Sequence, residues 1–257
     1  MKQSCINKDN EILVGILFSN IRLLLEKYLI ISLFVSSLVI GNIYASEPIL
    51  ITISSGLDKI IFDGKWTHTT EWKPTSENTL RYDDGTQIHL RTAHQDGFVY
   101  VFLDLATDMV IDKGADNALI CFDGKNDKTD IPGIDDYCFF TSLSRKISFS
   151  YNGGGLIGLN GNFQKISNPV GYVAIGNVSD KHDRYNIIPH VSYEFRIPID
   201  LLGRSDNYGF YMAVYEANSG IIYSWPTEVQ QNRIFTIPSP SEWGEIISPD
   251  KSMGKLQ

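Results

Sequence analysis

Val191, Tyr193, Phe195 and Ile197 alternate with Ser192, Glu194 and Arg196. A period of two places all four apolar side chains on one face of an extended strand, which a helix of period 3.6 cannot do. The pattern recurs along the chain. Gln87–Thr92 alternates and leads through His94-Gln95-Asp96-Gly97 into the apolar run Phe98–Leu105, so these segments read as a hairpin with its loop at His94–Gly97. Further strands are predicted at Ile49–Ile53, Lys59–Phe62, Ala118–Phe122, Tyr137–Thr141, Lys146–Tyr151, Val170–Ile175, Phe210–Tyr215 and Ile221–Ser224, with turn residues between them. Helix is confined to one turn at Asp200–Leu202, after Pro198. Many short strands with little helix specify an all-β sandwich or barrel. The glycine-rich stretch Gly153–Gly161 reads as a loop, and no internal repeat or low-complexity linker interrupts the chain. One domain over residues 46–257 is the expectation, long enough to bury a core without cross-links.

The N-terminus has a different character. Tyr28–Ile40 is uncharged and apolar, follows Lys27, and precedes Ile43, Ala45 and Ser46. It reads as the apolar core of a signal peptide cut after Ala45, the other outcome being retention as an N-terminal anchor. No second long apolar run follows, so no other membrane span is expected. The formal charge is -8 over 257 residues. Such an acidic balance argues against nucleic acid and anionic membrane surfaces as partners. Secretion or display at the cell surface is the expected location.

Three stretches in fixed order carry a resemblance. They are Phe62-Asp63-Gly64-Lys65 with Glu71-Trp72; then Tyr193-Glu194-Phe195-Arg196-Ile197-Pro198-Ile199-Asp200-Leu201-Leu202; then Tyr208–Tyr215 with Ser224-Trp225-Pro226 and Pro240-Ser241-Glu242-Trp243-Gly244. This order resembles the family 9 carbohydrate-binding modules and their wider DOMON-like relatives, and covers nearly all of the chain after the N-terminal segment. The resemblance implies a two-sheet antiparallel β-sandwich of jelly-roll or Ig-like form. It implies a non-catalytic protein that binds a glycan or polysaccharide. In other branches it implies a haem-binding, redox-associated protein, and a structural cell-envelope protein is a third class.

A pyranose offers C–H groups on its face and hydroxyls around its rim, so its site needs flat aromatic surfaces flanked by polar groups. Trp72 and Trp225 flank strands among apolar neighbours and read as structural. Trp66 and Trp243 are the candidate contacts. The resemblance implies two tryptophans clamping a terminal sugar, one in each of two loops. Here the first loop, Ile111-Asp112-Lys113-Gly114-Ala115, holds no aromatic residue, and the second, Asn232–Pro238, holds only Phe235. Phe235 is therefore the third aromatic candidate, with Asp112 and Asp116 as polar ones.

Nine aspartates fall between Asp104 and Asp136. Calcium takes several carboxylate and carbonyl oxygens from a flexible loop, and Asp123, Asp127 and Asp130 in the segment 123–130 have that composition. Lys125 and Lys128 dilute it, and the alternative is a solvated loop of turn-forming Asp. Some relatives bind structural calcium, which the resemblance carries over. Haem would draw on Met109 or Met212 with His94; a Met in a β-protein is more often packing. Cys121 and Cys138 lie in two predicted strands and read either as a disulfide or as two buried thiols. Gly153-x-Gly155-x-x-Gly158 lacks the helix a dinucleotide fingerprint needs. There is no G-x-S-x-G elbow, and Asp135 and Asp136 on one strand would face opposite ways. No catalytic constellation is found, and no enzyme is expected.

Overall fold

The computed structural model describes residues 46–144, 147–155, 162–203, 205–229 and 236–249. The targeting reading of residues 1–45 and the candidate Phe235 lie outside them. Among the described residues the chain forms fourteen strands in two mixed sheets. The strands are β1 (Ile49–Leu50), β2 (Thr52–Ile53), β3 (Ser76–Arg81), β4 (Gln87–Gln95), β5 (Phe98–Leu105), β6 (Asn117–Asp123) and β7 (Asp136–Ser142). They continue as β8 (Ser148–Asn152), β9 (Gln164–Ile166), β10 (Val173–Val178), β11 (Val191–Pro198), β12 (Asn207–Glu216), β13 (Ile221–Trp225) and β14 (Gly244–Ile247). A single helical turn, α1 (Ile199–Leu202), follows β11.

The larger sheet runs β1-β14-β12-β6-β7-β8-β9, with β13 also on β12. The smaller runs β10-β11-β5-β4-β2, with β3 also on β4. Most pairs are antiparallel, as expected, but β1–β14 and β2–β4 are parallel. These two pairs arise because one N-terminal segment crosses between the sheets. Ile51, fully buried between β1 and β2, donates its N–H to the Ile247 carbonyl at 2.9 Å. The sandwich and the outer likeness to an Ig or jelly-roll layer pair therefore hold, with a mixed rather than purely antiparallel edge.

The period-two pattern explains the core. Val99, Val101, Leu103 and Leu105 of β5 and Val191, Tyr193, Phe195 and Ile197 of β11 point between the sheets. Ala118, Ile120 and Phe122 of β6 and Tyr208, Phe210, Met212 and Val214 of β12 meet them from the other layer. Residues of the opposite parity are also buried, because each sheet is covered on its outer face. Leu119, Cys121, Tyr211 and Ala213 lie under Phe163 and Trp243. Tyr100 and Phe102 lie under Trp66 and Trp72. This is why β6 is buried at every position.

The predicted strand at Lys59–Phe62 is instead a 3-10 turn, Leu57–Lys59, followed by loop. Its amides are taken by side chains, with Ile61 N–H donating to Glu71 Oε1 at 2.7 Å. The motif Asp63-Gly64 is anchored on β11: Glu194 Oε2 accepts from Asp63 N and Gly64 N at 2.8 and 2.6 Å, and Oε1 accepts from Trp72 Nε1 at 2.9 Å. Gly64 has φ +87° and sits so close to β10 that a Cβ would meet Asn177 at 2.7 Å, so only glycine fits. Two stretches of the family pattern are thus one buried device that fastens the covering loop to the smaller sheet.

Candidate functional site

The outer face of the larger sheet carries an apolar hollow. Its floor comes from alternate residues of three neighbouring strands. Leu119 lies opposite Ala213, Asn117 opposite Tyr215, and Tyr215 opposite Ile222. With Tyr211 and the segment Thr236–Ile237 these residues line a shallow hollow that encloses only about 30 Å³. Trp243 closes one end, stacked on Tyr211 at 6.3 Å and on Phe163 at 6.2 Å. Asn117 lies two residues past the first loop, residues 111–115, and Thr236–Ile237 belong to the described part of the second. Tyr215 is half-buried, and Thr236 is exposed at the rim.

The acidic residues beside it are partly structural. Asp116 is fully buried, and its carboxylate accepts from Asp112 N at 2.8 Å and from Ala217 N at 3.0 Å. It ties the first loop to the β12–β13 turn and so sets one wall of the hollow. Burial, with some repulsion from neighbouring carboxylates, holds its carboxyl pKa above the ordinary value even against these two N–H bonds. Asp112 is half-exposed, and its carboxyl is the one of this pair open to solvent. Asp108 is 4 % exposed. Its burial, then Asp116 and then Glu216, push its carboxyl up to about 7.

The two tryptophans expected as sugar contacts occupy different layers. Trp66 is 0 % exposed. It packs edge-on to Phe102 at 6.0 Å with the Arg91 guanidinium 5.1 Å from its ring centre, on the outer face of the smaller sheet. Trp243 is 4 % exposed on the larger sheet, and its Nε1 donates to the Pro238 carbonyl at 3.1 Å. A stacking platform must present a ring face, and neither ring does. The structure moves both residues from contact to support, and Trp66 lies on the wrong face to share a cleft with Trp243. Half-buried Tyr215, with buried Ile222 beside it, is the surface the sequence reading missed. Strand alternation marks both as facing outward, but only the register across β6, β12 and β13 brings them together.

The expected metal set also changes. Asp123 is fully buried, whereas Asp127 and Asp130 are exposed. The acids that converge with Asp123 are Asp135 and Asp136, with one oxygen of each within 4.8 Å of the others. The objection that adjacent residues face opposite ways fails because strand β7 begins only at Asp136; Asp135 sits in the preceding turn, where strand alternation does not apply. Asp123 accepts from Lys125 N and Lys128 N at 3.2 and 3.0 Å, and Asp136 Oδ2 accepts from Gly133 N at 2.6 Å. Asp135 Oδ2, Asp136 Oδ1 and Asn126 Oδ1 are buried without a hydrogen-bond partner. Burial and the neighbouring carboxylates, Asp123 first, push Asp136 up to about 7. Orphaned hard oxygens in a turn suit calcium. Of the two lysines that seemed to dilute the loop, Lys128 points away from the cluster, while Lys125 pairs with one of its acids. Lys128 Nζ donates to the Trp243 and Gly244 carbonyls at 2.6 and 2.7 Å, and Lys125 Nζ lies at the surface, 3.2 Å from Asp135 Oδ1.

Cys121 and Cys138 face each other across β6 and β7 and are joined by a disulfide. Met212 is packed between the sheets, while Met109 is 50 % exposed on a loop. His94, the other candidate for an iron ligand, is buried with Nε2 2.9 Å from Ser248 Oγ. Among the described residues no helix is long and apolar enough to cross a membrane.

No protein-family model matches the chain, and no curated protein matches it. Among solved structures it is similar to a family 9 carbohydrate binding module from Caldicellulosiruptor kristjanssonii in complex with cellotriose. That likeness has 16% identity, covers 82% of this chain and 96% of that one, and has a TM-score of 0.51. It is also similar to a family 9 module from the same organism in complex with glucose, at 16% identity, with 81% and 100% covered and a TM-score of 0.49. The first likeness, with the two-sheet topology, establishes a fold like that of the family 9 modules.

Proposed function

We propose that this protein binds a carbohydrate without transforming it, in the hollow formed by Leu119, Tyr211, Tyr215 and Ile222. The reading rests above all on one observation: Thr236–Ile237, the described part of the second loop, and Asn117, just past the first, line that hollow. In the sugar-binding family it resembles, these are the loops that carry the clamp. With no tryptophan pair, the sugar lies on the sheet itself. Its C–H face covers Tyr215 and Ile222, and its hydroxyls reach Asp112, Asn117 and Thr236. Asp116 acts one step back, as a positioning residue for the first loop. The similar module was solved with cellotriose, so β-glucan oligosaccharides head the ligand panel. Calcium at Asp123, Asp135 and Asp136 stiffens the β6–β7 turn, away from direct sugar contact. The disulfide and the apolar N-terminal run support an extracytoplasmic location.

The test is titration of the protein with a panel of oligosaccharides and polysaccharides, followed by tryptophan fluorescence. Trp243 stacks on Tyr211 at the end of the hollow and so reports occupancy. Saturable change with one glycan class is expected, and Tyr215→Ala should weaken that affinity about fivefold or more, since stacking on an aromatic ring is worth on the order of 1 kcal/mol. A flat response across the panel from folded protein, or an unchanged affinity in Tyr215→Ala, defeats the reading.

A further inference from the structure

A second buried cluster lies in the other layer, on the outer face of the smaller sheet. Asp104 stands near the end of β5, between His89 of β4 and Ser192 of β11 in register. His190 immediately precedes β11, and Asp183 comes from the loop between β10 and β11. Asp104 and His190 are 0 % exposed and Asp183 is 7 % exposed. One ligand atom from each lies within 4.8 Å of the other two.

The surroundings aim these atoms inward. Asp183 Oδ1 accepts from Tyr185 N at 2.7 Å and Asn186 N at 3.2 Å, which leaves Oδ2 to point elsewhere. His190 Nδ1 lies 2.7 Å from the Ile188 carbonyl. A carbonyl only accepts, so Nδ1 carries the proton and the neutral ring presents its Nε2 lone pair to the carboxylates. Nε2 comes to 2.8 Å from Asp104 Oδ1 and 3.8 Å from Asp183 Oδ1. The shorter contact is at ion-pair distance but not aligned as a hydrogen bond, and Nε2, both Asp104 oxygens and Asp183 Oδ2 are all buried without a hydrogen-bond partner. Four such atoms meeting in one buried place would be costly if nothing sat between them. Two cations of the surrounding layer are engaged elsewhere, Lys65 with Asp180 and Arg91 with Glu77.

We propose that Asp104, Asp183 and His190 form a binding site for one divalent transition-metal ion of the Zn²⁺ type. Two carboxylates and one imidazole are a mixed hard and borderline donor set, which suits zinc better than calcium. The Ile188 carbonyl on Nδ1 is the outer-shell partner that metal-ligating histidines ordinarily have, and it fixes the tautomer. Burial of all three ligands makes the site structural: the ion fastens the 179–190 segment onto β5 and β11. It is a different site, in donor chemistry and in layer, from the Asp123–Asp135–Asp136 cluster, and it does not depend on the carbohydrate reading.

The experiment uses the intact protein, stripped with chelator and then held in saturating calcium to occupy the all-oxygen cluster. Zn²⁺ is added and bound metal is measured by calorimetry and elemental analysis. One equivalent of Zn²⁺ per chain with a rise in Tm is expected. Asp183→Asn, whose side chain sits on a loop and keeps its size, should lower Zn²⁺ affinity at least tenfold with an unchanged circular dichroism spectrum, whereas Asp136→Asn should leave it unchanged. Because Asp104 and His190 variants could fail to fold, the wild-type protein supplies a second readout: the His190 Nε2 nitrogen resonance should move on Zn²⁺ addition while Nδ1 stays protonated. No retained Zn²⁺, full affinity in Asp183→Asn, or an unmoved Nε2 resonance would each overturn the proposal.

Discussion

Asp108 shows how one carboxyl can set a pH dependence. Its Oδ1 accepts from Val110 N at 3.1 Å, while Oδ2 is buried without a partner near Asp116 and Glu216. The folded-state value of about 7 lies above the ordinary carboxyl value of 3.8. The folded chain therefore holds this proton more tightly than the unfolded chain does. Its stability is highest below about pH 4 with respect to this group, and falls as pH rises from there through about 7. Asp108→Asn keeps the acceptor for Val110 and removes the charge. Its Tm should exceed that of the parent above pH 7 by a few °C, since about 1 kcal/mol moves Tm by roughly 2–4 °C in a domain of this size, and the gap should close toward pH 4. Thermal melts across that range check the slope, and parallel curves for the two proteins would assign it to other groups. Residue-scale reading of the sequence was good where local chemistry decides. Trp72 and Trp225 were legible as structural, and both are buried. It was poor where exposure decides, because Trp66 and Trp243 look no different from platform residues until their covering layers are known.

At the scale of elements, the β6–β7 connection carries most weight. Its strands pair in register from Asn117–Ser142 to Asp123–Asp136, with the disulfide at Cys121–Cys138 in the middle and the acidic cluster at the open end. Three carboxylates held within 4.8 Å repel one another unless a cation joins them. Calcium should therefore raise Tm by several °C at 100 times its Kd, the mass-action gain being about 2.7 kcal/mol. Asp136→Asn should abolish most of that rise, and Asp127→Asn and Asp130→Asn should retain it. Differential scanning calorimetry with calcium and with chelator reads all four. Equal calcium responses in Asp136→Asn and Asp130→Asn would return the site to the exposed loop. Strands with alternating or continuous apolar character were legible: β5, β6, β7, β11, β12 and β13 fall where the pattern put them, within a few residues. The misses have physical causes. Ser76–Arg81 and Gln164–Ile166 are edge strands whose half-exposed faces leave no alternation to read, and Gly244–Ile247 is too short to show a period. Lys59–Phe62 has the composition of a strand, but Glu71 takes an amide that a sheet would have used.

For the whole molecule, the separation of layers matters most. The hollow and the Asp104–Asp183–His190 cluster lie on the outer faces of different sheets, with the inter-sheet core between them. Sites in separate, rigidly packed layers that share no residue should be close to additive. Asp183→Asn should therefore leave any glycan affinity within about twofold of the parent, and Tyr215→Ala should leave Zn²⁺ uptake unchanged. Fluorescence titration and calorimetry on both variants test this, and cross-effects of tenfold would show that the layers are coupled.

From the sequence alone came the fold class, the hairpin and strand parities, and the resemblance to a sugar-binding sandwich. Those features depend on local periodicity and on motifs whose residues touch the backbone nearby. The choice of which aromatic faces solvent, which aspartates share a turn, and which buried groups lack partners came only with the tertiary structure. Each depends on register between strands far apart in the chain and on segments that fold back over the outer faces. A residue's burial is a property of what covers it, and here the covers come from up to about 130 positions away, as Gly64 on Glu194 shows.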